Sequence, residues 1–318
     1  MTMTTQEAWL WRGGDEPTAL TLETSEIPPL AADDILIRNH AIGLNPVDWK
    51  VLDMKMGSIP GVDGAGVIEA VGDRVDPTWI GRRVAYHQSL SRAGSFAQYT
   101  AIQAQTAMRL PDTQSFVSAA AIPCPALTAW QSLDKIPVKA NKPVLISGAG
   151  GSVGHYLVQM AVQRGFTVSV IAHSRHWERL TGFGAVACFD DREQNMNHLQ
   201  HSFYAVIDSR SEQSAMQLAS LLCANGHLVA IQGRTNQWPS QPFGPSWSMH
   251  EVALGALHRF GNPQDWLELT RAGETILDQV SEGILKPDTI ITADFHSLPQ
   301  QLMALKHRSA SGKFVITC

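Results

Sequence analysis

Six residues carry the plainest chemical message: Ala149, Gly150, Gly151, Ser152, Val153 and Gly154, which follow Gly148. Glycines at such spacing let a backbone turn tightly and approach a pyrophosphate. The charge of that group then rests on N–H groups at the start of a helix. The match to the dinucleotide fingerprint runs Ala149-x-Gly151-x-x-Gly154, with alanine in place of the first glycine. Further along, His173-Ser174-Arg175-His176 has no acid before Glu178. A carboxylate at that place holds a ribose 2′-hydroxyl, whereas a hydroxyl and a guanidinium suit a 2′-phosphate through charge-assisted hydrogen bonds. The two clusters together read as a site for NADP(H) in preference to NAD(H).

Such a site needs a strand, a turn, a helix and a second strand. The apolar run at 144–146 reads as a buried strand, and Val153, Leu157, Val158 and Ala161 recur at helical spacing. A strand at 167–172 completes the unit. Further strands are expected near 186–190, 204–208 and 227–232, with helices between them, which is the pattern of a parallel, doubly wound sheet. Residues 1 to about 118 read instead as β-rich, with short apolar runs cut by Gly, Pro and Asp. Residues 115–122 and 127–133 are helical in character. The segment 247–257 fits strand or helix, a helix is expected near 263–283, and 312–318 reads as a closing strand.

Bulk properties narrow the class. A chain of 318 residues suits two domains. Hydrophobic content of 44% with 17% charged residues is that of an ordinary globular protein. The net charge of −5 and the lack of any Lys/Arg run argue against a nucleic-acid partner. The first residues have neither the basic start nor the apolar stretch of a signal peptide, and no run nears the ~20 apolar residues that span a bilayer. Cys124, Cys188, Cys223 and Cys318 are scattered without a CxxC pair, which fits a reducing, cytoplasmic setting.

Several motifs occur in a telling order: GLNPVDWK at 43–50, PGVDGAGVIEAVG at 60–72, GSFAQY at 94–99, AAAIPCPALTAW at 119–130, the glycine turn, and GKFVI at 312–316. Through them the chain resembles the medium-chain dehydrogenase/reductase superfamily, and within it the zinc-independent quinone oxidoreductase-like branch. The resemblance implies an α/β fold in which a Rossmann doubly wound parallel sheet is inserted in a β-rich, GroES-like catalytic domain. The catalytic domain would comprise 1–118 and 257–318, and the NADP-binding domain 119–256. Relatives often form homodimers through the last strand of the Rossmann sheet, and the apolar segment 251–257 stands at about that place; interior packing is the other reading.

Zinc-dependent members of the superfamily need a Cys or Asp, a His, and a third Cys or Asp around an open metal position. Here the first place falls on Asn45, the Gly-His-Glu stretch has become Gly61-Val62-Asp63, and Cys124 stands at the third. His40, His87 and His173 show no ligand spacing and read as isolated core or surface histidines. No metal is therefore expected. A quinone or an enone is already electrophilic and accepts hydride from NADPH with hydrogen-bond donors alone. The resemblance offers Asn45, Asp48 and Thr128 as catalytic residues. Asn45 and Thr128 would also face the cofactor, with Gly233 marking close backbone approach. Lys313 either reaches cofactor or substrate or lies at the surface. Met54 and Met56, in a short loop, either line the substrate pocket or pack in the ordinary way. A carbonyl or enoyl-thioester reductase, or a low-turnover NADPH-binding redox sensor, are the alternative functions.

Overall fold

Alternation decides the strands of the first part of the chain. In Asp34–Gly43, Ile35 and Ile37 sit two apart on one face and are wholly buried, with Arg38 exposed between neighbours. A computed structural model describes residues 4–192 and 196–318. The chain divides into two compact units, one running through Cys124 and resuming at Gly255–Cys318, the other Pro125–Leu254.

The first unit opens with an antiparallel pair, β1 (Thr5–Leu10) and β2 (Thr21–Glu26). There follow β3 (Asp34–Gly43), β4 (Asp63–Val71), β5 (Arg83–His87), β6 (Tyr99–Gln103) and β7 (Ala107–Arg109). One side of this sheet buries Ile35, Ile37, Ile68, Val84, Tyr86 and Ile102 together. Burial of that many large side chains is the main stabilising term, at about 1.5–3 kcal/mol each.

The second unit contains β8 (Pro143–Ser147), β9 (Thr167–Ile171), β10 (Ala187–Phe189), β11 (Phe203–Asp208), β12 (Leu222–Ala230) and β13 (Ser248–Glu251). They form one sheet in the order β10-β9-β8-β11-β12-β13, every neighbouring pair parallel. All six residues of β11 are buried and four of the five in β8, as helices on both faces require. The segment 247–257, open between strand and helix by pattern, is strand over Ser248–Glu251 and a short helix over Leu257–Phe260.

The chain then returns to the first unit. Helix Pro263–Ser281 is capped by Asn262, whose side chain accepts from the N–H groups of Gln264 and Asp265. Strands β14 (Ile290–Asp294) and β15 (Lys313–Thr317) complete a sheet of order β14-β15-β3-β4-β5-β7, with β6 also on β3. Among the described residues no helix is long and apolar enough to cross a membrane.

Candidate functional site

In the first unit, β3 ends at Gly43 and the chain passes through Asn45 into the short helix Pro46–Lys50, with proline at its permissive start. Asp48 anchors this corner. Its Oδ2 accepts the Asn45 N–H at 2.7 Å and its Oδ1 the Val62 N–H at 3.1 Å, so one carboxylate ties two loops together. Burial pushes the Asp48 carboxyl up to about 8, against the pull of those two backbone donors.

Asn45 uses both ends of its amide inside the protein. Its Nδ2 donates to Asp63 Oδ2 at 2.8 Å and to the Gly43 carbonyl at 3.2 Å, while its Oδ1 accepts from the Lys313 ammonium. Lys313 is a buried residue, 3% exposed, which removes the surface reading. Its Nζ also lies 3.7 Å from Asp63 Oδ2. β15 carries this lysine to the site by pairing antiparallel with β3, Val315 opposite Gly43.

Asp63, with no exposed surface, is the hub. Besides Asn45 and Lys313, its Oδ2 accepts the Cys124 N–H at 2.9 Å, and its Oδ1 lies 2.7 Å from His87 Nδ1. The reading of His87 as an isolated histidine is overturned. Antiparallel pairing of β4 with β5 sets Asp63 directly opposite His87, which brings the two side chains onto one face. Sequence spacing hides this, because 24 residues separate them in the chain. Thr128 belongs to the second unit; it is buried on the helix Pro123–Asp134, and its own carbonyl accepts from Ser132 Oγ. Met54 and Met56 are 74% and 61% exposed, so neither packs in a core.

The second unit gathers the remaining residues at the carboxyl ends of its strands. The strand order reverses between β8 and β11, the place where open parallel sheets form a ligand crevice. Gly148, at φ +73°, turns the chain out of β8, a conformation in which a side chain is strained. A Cβ on Gly154 would lie 2.4 Å from the Ala149 backbone, so only glycine lets the helix Ser152–Gln163 start this close to the turn. Gly151 caps that helix without a side-chain bond. The leading N–H groups of Ser152, Val153 and Gly154 precede the first helical bond, from His155 N–H to the Gly151 carbonyl. The turn thus ends at a helix N-terminus, whose backbone N–H groups carry partial positive charge, with the His176 ring against Gly150.

Ser174 and Arg175 form an exposed turn directly after β9. The Arg175 N–H donates to His173 Nδ1 at 3.2 Å and its Nε to His176 Nε2 at 3.0 Å. Sequence reading overlooked Arg179, whose Nη2 donates to the Gly150 carbonyl at 2.9 Å. Its signal was the four-residue step from Arg175, which puts two guanidinium groups on one side of a helical segment. Gly233 follows β12 and packs toward the Glu212 backbone.

Comparison with known proteins places these features among relatives. Residues 31–112 match the alcohol dehydrogenase GroES-like domain family. Human quinone oxidoreductase is 34% identical over 233 residues, covering 69% of this chain and 70% of the relative. The 2-methylene-furan-3-one reductase of Solanum lycopersicum is 31% identical over 243 residues, 71% of this chain; the match spans 62% of that relative's length. The fold of a quinone oxidoreductase from Coxiella burnetii superposes with a TM-score of 0.85 over 99% of each chain, at 23% identity.

Proposed function

Since this chain belongs to the quinone oxidoreductase branch of the medium-chain dehydrogenase/reductase superfamily, we propose that it transfers hydride from NADPH to a quinone or an α,β-unsaturated carbonyl. One observation carries the cofactor half of the proposal. The glycine cradle at the sheet's switch point stands beside a strand end that bears Ser174 and Arg175 where a carboxylate would mark NAD(H). Ser152, Val153 and Gly154 would hold the pyrophosphate, and Ser174 with Arg175 the 2′-phosphate, with Arg179 fixing the Gly150 carbonyl beside them.

The bound nicotinamide supplies the hydride. The acceptor half rests on the relatives' names: a quinone and a furanone with an exocyclic methylene are both conjugated carbonyls. Such acceptors need orientation and donors near the oxygen that gains charge, not a Lewis acid. Asn45 and Thr128 are the proposed orienting residues, with Gly233 passing close to the cofactor. Asp48 holds Asn45 by its backbone, and Asn45 fixes the Lys313 ammonium. A homodimer through the edge strand β13 and the segment after it completes the reading, since among the described residues one side of β13 has no neighbour in its sheet.

Steady-state oxidation of NADPH against a panel of quinones, enones and plain ketones tests the assignment. Turnover with the conjugated acceptors and little with ketones is the expected result. Micromolar NADPH binding with no acceptor reduced would instead favour the redox-sensing alternative.

A further inference from the structure

A conjugated carbonyl that accepts hydride at its β-carbon becomes an enolate, which must take up a proton before a stable product leaves. Within the first unit, one side chain is built to give that proton. Antiparallel pairing of β4 with β5 sets His87 opposite Asp63, and its Nδ1 lies 2.7 Å from Asp63 Oδ1. Asp63 is itself held in place, because its Oδ2 accepts from Asn45 Nδ2 at 2.8 Å and from the Cys124 N–H at 2.9 Å. A carboxylate only accepts, so it keeps one proton of the ring at Nδ1; a second, taken up at Nε2, is the one the ring can give away. Nε2 has no hydrogen-bond partner among the described residues. The His87 side chain keeps 11% of its surface open, whereas Asp63 keeps none.

Three other ionisable groups of this corner are engaged elsewhere. Asp48, which burial pushes up to about 8, has both carboxyl oxygens occupied by the backbone N–H groups of Asn45 and Val62. The Lys313 ammonium donates to Asn45 Oδ1 and lies 3.7 Å from Asp63 Oδ2, on a side chain only 3% exposed. His258, on the short helix Leu257–Phe260, holds the end of β5, its Nε2 3.1 Å from the His87 carbonyl. Burial above all, then the charges of His87 and Arg92, pushes the His258 imidazole down to about 4. His258 is therefore neutral near neutral pH and spends its one N–H on that carbonyl. It steadies the strand and has no proton to give.

We propose that His87 is the proton donor to the reduced acceptor, with Asp63 as the carboxylate that positions its ring. This role rests on the hydride-transfer reading and supplies the second hydrogen of the product. The β-carbon gains a C–H bond from the nicotinamide hydride, the carbon–carbon π bond breaks, and its electron pair moves into the enolate. The His87 imidazolium then gives its Nε2 proton to the α-carbon, where the second C–H bond forms, and neutral imidazole remains. Solvent returns a proton to Nε2. The sum is acceptor, NADPH and one proton going to reduced product and NADP⁺. With a quinone the proton passes to an oxygen instead of a carbon.

Reduction is run in D₂O with unlabelled NADPH and an enone that carries a methyl group on its α-carbon, and the product is read by NMR on a chiral support. The unaltered protein should place deuterium on the α-carbon in a single configuration and ordinary hydrogen on the β-carbon. In His87→Gln, kcat should fall by about 100-fold or more, within the usual range for loss of a general acid. Its α-deuterium should appear in both configurations, while NADPH affinity is kept. Asp63→Asn should mix the configurations in the same way. A mixed α-configuration from the unaltered protein overturns the proposal whether or not any variant folds. So does His87→Gln that keeps both the rate and the single configuration. A protein that reduces no enone or quinone loses the hydride-transfer reading and this role with it, whereas β-hydrogen delivered without control of the α-carbon removes His87 alone.

Discussion

Arg175 is exposed, and among the described residues its bonds run to neighbours in the same turn, His173 and His176. No ion pair of its guanidinium is found among the described residues, so its removal tests the 2′-phosphate contribution. Arg175→Ala is expected to weaken NADPH by about 10- to 100-fold, the equivalent of one or two charge-assisted hydrogen bonds, and to leave NADH nearly unchanged. Titration calorimetry with both cofactors measures this, and equal losses would sink the 2′-phosphate assignment. At this scale the sequence was legible where the constraint is local, as at Gly154, where a Cβ would meet the Ala149 backbone. It was opaque where the partner arrives from a distant strand. Lys313 meets Asn45 across 268 residues, and His87 meets Asp63 through a ladder register. No spacing rule encodes such meetings.

Elements were more legible than contacts, because periodicity is local. The expected strands at 144–146, 167–172, 186–190 and 204–208 correspond to β8, β9, β10 and β11 within two residues at each end. The strand expected at 227–232 is longer: β12 begins at Leu222, with a register shift that lets Phe203 pair with Leu222 and Ala205 with His227. The stretch 223–226, Cys-Ala-Asn-Gly, has no alternation to announce it. β13 is only four residues, too short for period to separate strand from helix. The glycine turn gives the element-scale test. A methyl group in Gly154→Ala would press on the Ala149 backbone at 2.4–2.7 Å and push the helix start away from the turn. A loss of about 1–3 kcal/mol in denaturant unfolding is expected, together with at least tenfold weaker dinucleotide binding. A variant of unaltered stability and affinity would contradict the close approach.

For the whole molecule, acid sensitivity has an identifiable source in the second unit. His227 on β12 and His250 on β13 face each other, Nδ1 to Nε2 at 3.1 Å. Burial lowers both from the usual histidine range, and nearby positive groups add to it: Lys139 for His227, His227 and Lys135 for His250. A base whose folded pKa is lowered binds fewer protons folded than unfolded. Its stabilising contribution is present above the unfolded value of about 6.5 and is lost as pH falls toward the lower folded value. Thermal unfolding followed from pH 7.5 down to 5 should show a declining midpoint, with a shallower decline in His250→Gln. A parallel decline in the variant would remove this pair as the cause.

The proposal for the whole protein is hydride transfer from NADPH to a conjugated carbonyl, and an isotope follows it most directly. NADPH deuterated at C4, prepared as each of the two epimers, is mixed with an enone, and the product is read by mass spectrometry and NMR. Deuterium from one epimer should appear on the carbon β to the carbonyl, with the carbonyl intact. Label on the carbonyl carbon of an alcohol product, or neither a labelled enone product nor any hydroquinone formed while NADPH is bound, would contradict the account.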